Sequence, residues 1–76
     1  MVTDVAGGTM TLTVNGREHS CPFGTTLAEL LMTLALDPRM IVVEHNRTIV
    51  RDRDRFGTVV LAPGDALELV HFVGGG

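Results

Sequence analysis

The residues with the clearest chemical potential are the last seven, Val70-His71-Phe72-Val73-Gly74-Gly75-Gly76, where an apolar strand gives way to three glycines. Glycine has no Cβ, so such a segment can lie extended in a slot too narrow for side chains, its backbone angles open until a partner grips it. If Gly76 carries the free carboxylate, that carboxylate is the reactive group. It is a poor acyl donor until adenylation supplies a leaving group, after which a sulfur or nitrogen nucleophile can take the acyl carbon. Gly76 is therefore the candidate reactive site, and Gly74 and Gly75 are the candidate recognition residues. Read alone, the same glycines fit a frayed end or a cloning remnant, since termini are commonly loose. The rest of the chain has to decide.

The element that aims this tail is a final strand expected over 66–73. Alternation puts Ala66, Glu68, Val70 and Phe72 on one face and Leu67, Leu69, His71 and Val73 on the other. If the leucines face the core, Val70 and Phe72 are exposed apolar residues beside the tail, and with Val73 they form a candidate docking patch. The alternative is that Phe72 covers the far side of the sheet structurally. Upstream, Met10, Leu12 and Val14 alternate with threonines before Asn15-Gly16, the pair most at home with positive φ in a type I′ turn. A two-residue loop places Val14 opposite Arg17, Leu12 opposite His19 and Met10 opposite Cys21. Thr26-Leu27-Ala28-Glu29 has capping-box spacing, and Leu27, Leu30, Leu31 and Leu34 form one apolar stripe. This helix is expected to stop at Asp37-Pro38. The run 40–44 reads as a strand buried on both faces, followed by a turn at 45–47 and the apolar Thr48-Ile49-Val50. Arg51-Asp52-Arg53-Asp54-Arg55 reads as a solvated connection with room for a single helical turn, and Pro63-Gly64-Asp65 as a tight turn. The whole is an α+β roll of ββαββ order, a mixed sheet with one helix across it and the first and last strands parallel in the centre. Residues 1–9 are a loose lead-in, 10–73 the domain and 74–76 a flexible tail.

Seventy-six residues with 45% apolar content allow one small core and no enclosed substrate cleft, so the protein is expected to act by being bound, without catalysis of its own. No run approaches the length of a membrane span, and 1–9 lacks a signal-peptide pattern, which leads to the expectation of a cytoplasmic protein that engages no membrane. A net charge of −3 with no Tyr or Trp disfavours nucleic acid. Cys21, the single cysteine, is expected to be an inert buried thiol, a persulfide or thioester site being the less favoured reading. His19, His45 and His71 lack metal-ligand spacing and read as surface or rim residues, so no metal site is expected. Met10, Met32 and Met40 are read as packing residues, and the arginine-aspartate run could also select a partner electrostatically.

Three strings, Val42-Val43-Glu44-His45-Asn46, Thr48-Ile49-Val50-Arg51 and Pro63-Gly64-Asp65 through Gly76, together resemble the ThiS family, the sulfur carrier proteins of thiamin biosynthesis. The Val14-Asn15-Gly16 hairpin and the Thr26-Leu27 helix start fit the same family, so the resemblance covers nearly everything after Thr9. It implies a β-grasp, ubiquitin-like fold. It also implies that Gly76 is adenylated with ATP by an E1-like adenylyltransferase of ThiF type, then converted to a thiocarboxylate that passes sulfur to thiazole synthase of ThiG type. The sulfur would come from a donor such as a cysteine desulfurase system, ATP would be used by the partner, and the carrier would hold no cofactor. The chain departs from the family in having Arg51 where proline often follows the Ile49-Val50 pair, and in its dense arginine-aspartate run. The small subunit of molybdopterin synthase and a ubiquitin-like protein modifier share this fold and tail and remain the alternatives.

Overall fold

The computed structural model describes residues 8–72. β1 (Thr9–Val14) and β2 (Arg17–Pro22) form a hairpin, followed by α1 (Leu27–Thr33), a 3-10 turn at Pro38–Met40, β3 (Ile41–His45), β4 (Thr48–Ile49), a second 3-10 turn at Arg53–Arg55, and β5 (Ala66–His71). The sheet order is β2-β1-β5-β3-β4, with β1 and β5 parallel at its centre and the other pairs antiparallel. This is the α+β roll read from the sequence, with the two-residue β4 added at the edge.

Local chemistry explains most of these elements. Asn15 and Gly16 both have positive φ, 50° and 81°, and the hairpin they close has the expected register, with Met10 opposite Cys21. At the start of α1 the Thr26 hydroxyl accepts from the Glu29 amide while the Glu29 carboxylate accepts from the Thr26 amide, which satisfies two otherwise orphaned donors. Leu27, Leu30 and Leu31 are buried against Leu12, Val43, Leu67 and Leu69 in one core, and Leu34 packs at its margin.

Three expectations need correction. The helix ends at Thr33, before Asp37-Pro38, because Ala35 takes a left-handed φ of 59° and the amides of Ala35 and Leu36 bond back to the carbonyls of Met32 and Leu31. That is a Schellman ending with alanine in the place of the usual glycine. Asp37 instead caps the 3-10 turn, accepting from the Arg39 amide. β3 is buried on one face only: Ile41 and Val43 enter the core and Val42 points outward, because the single helix covers one side of the sheet. Met32 is 76% exposed, whereas Met10 is buried and Met40 half-buried.

Residues 51–55 are exposed as expected and contain the single 3-10 turn, capped by Asp52. Arg53 nevertheless ties this segment to the fold, donating from Nε to the Pro38 carbonyl at 2.8 Å and from Nη2 to the Ile41 carbonyl at 3.3 Å. The next residue but two, Phe56, is a core residue that the sequence reading left unassigned. Cys21 is buried and unpaired, as expected. Beside it lies an open hollow of about 550 Å³ between β2 and α1, bordered by His19, Phe23, Glu29 and Met32.

Candidate docking face and carboxyl-terminal tail

β5 positions everything at the candidate site, and its alternation resolves as the leucine-inward reading required. Leu67 and Leu69 are buried, while Val70 is 55% and Phe72 40% exposed. His71 lies opposite Ile41, at the exposed rim of the core side. Val73, Gly74, Gly75 and Gly76 lie outside the described residues, as does most of the lead-in 1–9.

The structure adds neighbours that the sequence reading did not join to this patch. β3 pairs with β5 so that Val42 stands directly opposite Val70 and Glu44 directly opposite Glu68, and β4 then sets Ile49 beside Glu44. Directly opposed residues share a face, so Val42, Ile49, Val70 and Phe72 form one exposed apolar group around a pair of glutamates. The half of this face formed by β1 and β2 is polar, carrying Thr11, Thr13, Glu18 and Ser20. Phe72 keeps the strand paired to its end, donating its amide to the Met40 carbonyl at 3.1 Å.

Two asparagines hold β5 in place from opposite sides. β1 reaches β5 only as far as Leu67. Beyond that point the Asn15 side chain continues the ladder, its Oδ1 accepting from the Leu69 amide at 2.7 Å and its Nδ2 donating to the Leu69 carbonyl at 3.2 Å. On the β3 side Asn46, also at φ 50°, accepts from the Ala66 amide at 2.8 Å through Oδ1 and donates through Nδ2 to Asp65 Oδ1 at 3.1 Å. Asparagine suits both places because it tolerates a left-handed backbone and carries a peptide-like amide.

Asp65 collects the remaining bonds at the base of the strand. Its Oδ2 accepts from His45 Nε2 and from the Ala62 amide, each at 2.8 Å. Burial pushes the Asp65 carboxyl up, but the bonds from His45, Ala62 and Asn46 outweigh it and hold the group below its ordinary 3.8. His45 is thus a positioned residue, in contrast to the rim histidine read from the sequence; its partner lies twenty residues away, and no local spacing signals it. At the other end of β3, the Arg39 guanidinium and amide bonded to Asp37 hold that exposed carboxyl down at about 2. Among the described residues, no group of three His, Cys, Asp or Glu side chains could hold a metal ion, and no helix is long and apolar enough to cross a membrane.

The ThiS family model matches residues 12–76. Sulfur carrier protein ThiS of Bacillus subtilis strain 168 is 36% identical over 66 residues, covering 86% of this chain and 98% of that protein. The chain belongs to the ThiS family. The crystal structure of the thiamine biosynthesis protein ThiS from Geobacter metallireducens superposes with a TM-score of 0.76 at 33% identity, covering 88% of this chain and all of that one, so the roll is the β-grasp fold of its family. This ThiS-family chain is also similar to part of two longer proteins named thiazole synthase. It is 45% identical over 67 residues to that of Magnetococcus marinus and 39% identical over 67 residues to that of Paramagnetospirillum magneticum. In both cases the match covers 88% of this chain and 20% of the relative, so the chain spans about a fifth of their length.

Proposed function

We infer that this chain is a sulfur carrier of thiamin biosynthesis, a co-substrate whose Gly76 carboxylate becomes a thiocarboxylate. A carboxylate oxygen of Gly76 attacks the α-phosphorus of ATP in the active site of an E1-like adenylyltransferase, releasing pyrophosphate. A persulfide sulfur, supplied by a donor such as a cysteine desulfurase system, then attacks the acyl carbon and expels AMP, and a thiol cleaves the resulting acyl disulfide, leaving with the donor's sulfur as a disulfide and freeing the thiocarboxylate. The resulting thiocarboxylate gives its sulfur to a thiazole synthase. The observation that carries this reading is the family match, which runs through the three glycines to residue 76. The similarity to a fifth of two thiazole synthases supports that enzyme as the recipient, and the same likenesses favour thiamin over the molybdopterin and protein-modifier alternatives.

The geometry supports the division of labour. A glycine tail offers no side chain with which an enzyme could tell it from other peptides, so recognition has to come from the folded surface that bears it. The exposed group around Val70 and Phe72 lies immediately before the tail and supplies apolar area for that purpose. Binding energy gathered there positions one carboxyl group in a partner's active site.

Top-down mass spectrometry of the protein incubated with ATP, sulfide and the adenylyltransferase of its own host tests the reading. Exchange of oxygen for sulfur adds about 16 Da, nominally the same as oxidation of a methionine, so the mass has to be localised by fragmentation. Sulfur on a fragment containing Gly76 is the expected result. An unmodified terminus in the presence of an active enzyme removes the carrier reading.

A further inference from the structure

The least comfortable feature of the exposed sheet face is the Glu44–Glu68 pair. The two residues are directly opposite each other in the antiparallel β3–β5 ladder, a placement that brings Cβ atoms to within about 5 Å and is unfavourable for like charges. Neither carboxylate has an ion-pair partner among the described residues, whose two such contacts are Arg39–Asp37 and His45–Asp65. Arg51 borders a hollow with Val42 and Ile49 on the neighbouring row, yet it makes no ion pair with either glutamate. Glu68 is exposed and Glu44 half-buried, and both are ringed by exposed Val42, Ile49 and Val70. A protein gains nothing in its own stability from two facing carboxylates inside an apolar rim. Charge placed where it costs stability is the mark of a surface shaped for something else.

We propose that Glu44 and Glu68 together form a receptor for one arginine of the thiazole synthase that docks on this face, the surrounding valines and isoleucine excluding water from the contact. Arginine fits better than lysine because its planar fork presents several N–H donors and can bond both carboxylates at once. An arginine held between them cancels the repulsion present in the free carrier and also fixes the rotational register of docking, which apolar contacts alone leave loose. The proposal rests on the carrier reading above and adds to it the chemistry of the partner's side of the interface.

Binding of the intact carrier to its host's thiazole synthase, measured by biolayer interferometry across a salt series, tests the proposal with three variants: E44Q, E68Q and the double substitution. Val70→Ser serves as the reference for the docking face itself. The expected result is that the double variant binds at least about tenfold more weakly, with a flatter dependence on salt, while its Tm rises by roughly 1–5 °C as the repulsion is relieved. If Val70→Ser weakens binding and the glutamine variants do not, the docking face stands and the arginine receptor is wrong. If the glutamine variants lose Tm, the carboxylates are compensated inside the chain and the proposal is again wrong. If neither Val70→Ser nor the glutamine variants affect binding, the docking face falls together with the receptor.

Discussion

Asn15 holds the strand that bears the tail, and its replacement separates two costs that the structure superimposes. Asn15→Ala removes two hydrogen bonds to the Leu69 backbone, 2.7 and 3.2 Å long and partly buried. At about 0.5–1.5 kcal/mol each they sum to about 1–3 kcal/mol. Alanine also has to hold the φ of 50° that asparagine adopts more readily, a further cost of about 1 kcal/mol. The total of about 2–4 kcal/mol is a large share of the stability of so small a domain. Asn15→Gly loses the same bonds but takes positive φ freely, so it is expected to be about 1 kcal/mol more stable than the alanine variant. Urea unfolding gives the two free energies, and hydrogen exchange at the Leu69 amide reports the local bond. The reasoning is refuted if Asn15→Ala costs less than about 0.5 kcal/mol with exchange at Leu69 unchanged, a loss no larger than that of an ordinary surface substitution. Equal stabilities for the glycine and alanine variants would refute the backbone part alone.

Two further outcomes follow from the fold. Asp65 has a folded-state pKa below its ordinary 3.8, so the folded protein binds fewer protons than the unfolded chain in the window beneath that value; its stabilisation is fully present above about pH 4 and is lost as pH falls through the depressed pKa. Acid unfolding followed by circular dichroism should therefore show a loss of stability below pH 4 that is smaller in Asp65→Asn, which is itself less stable at pH 7. Ala35→Gly should stabilise the protein by about 0.5–1 kcal/mol in urea unfolding, because it places glycine at the left-handed position of a Schellman ending. An unchanged or lower midpoint would mean that the alanine is not strained.

The elements with local signals were legible in the sequence. Asn15-Gly16 fixed the hairpin register, Thr26 with Glu29 fixed the helix start, and alternation in 66–72 separated Leu67 and Leu69 from Val70 and Phe72. What escaped lacked a local signal or depended on the third dimension. The helix stop was misplaced because the left-handed residue is Ala35, where a glycine would have announced it. Val42 was read as buried because an apolar run does not reveal that only one face of its sheet is covered. The base of β5 was missed because His45, Asn46 and Asp65 come together only when two turns, about twenty residues apart, meet across the sheet. For the candidate docking face, Val70 and Phe72 were readable from alternation, but their neighbours Val42, Glu44 and Ile49 required the pairing register.

The same register bears on the proposed carrier role, in which a single atom has to be placed. β5 is fixed at its base by Asn46 and Asp65 and along its β1 side by Asn15, and Phe72 is still bonded to Met40 at the far end. The strand is thus tied to the core through Leu67 and Leu69 up to the last residue before Val73. Beyond Phe72 the four residues to Gly76 reach at most about 14 Å when fully extended. On the proposed carrier reading, a partner that takes hold of Val70 and Phe72 needs its reacting centre within that distance of the contact to act on Gly76. Each residue of slack in the strand would widen the search volume and weaken the link between docking and chemistry. Two asparagines on the β5 backbone keep that slack out of the described part of the strand.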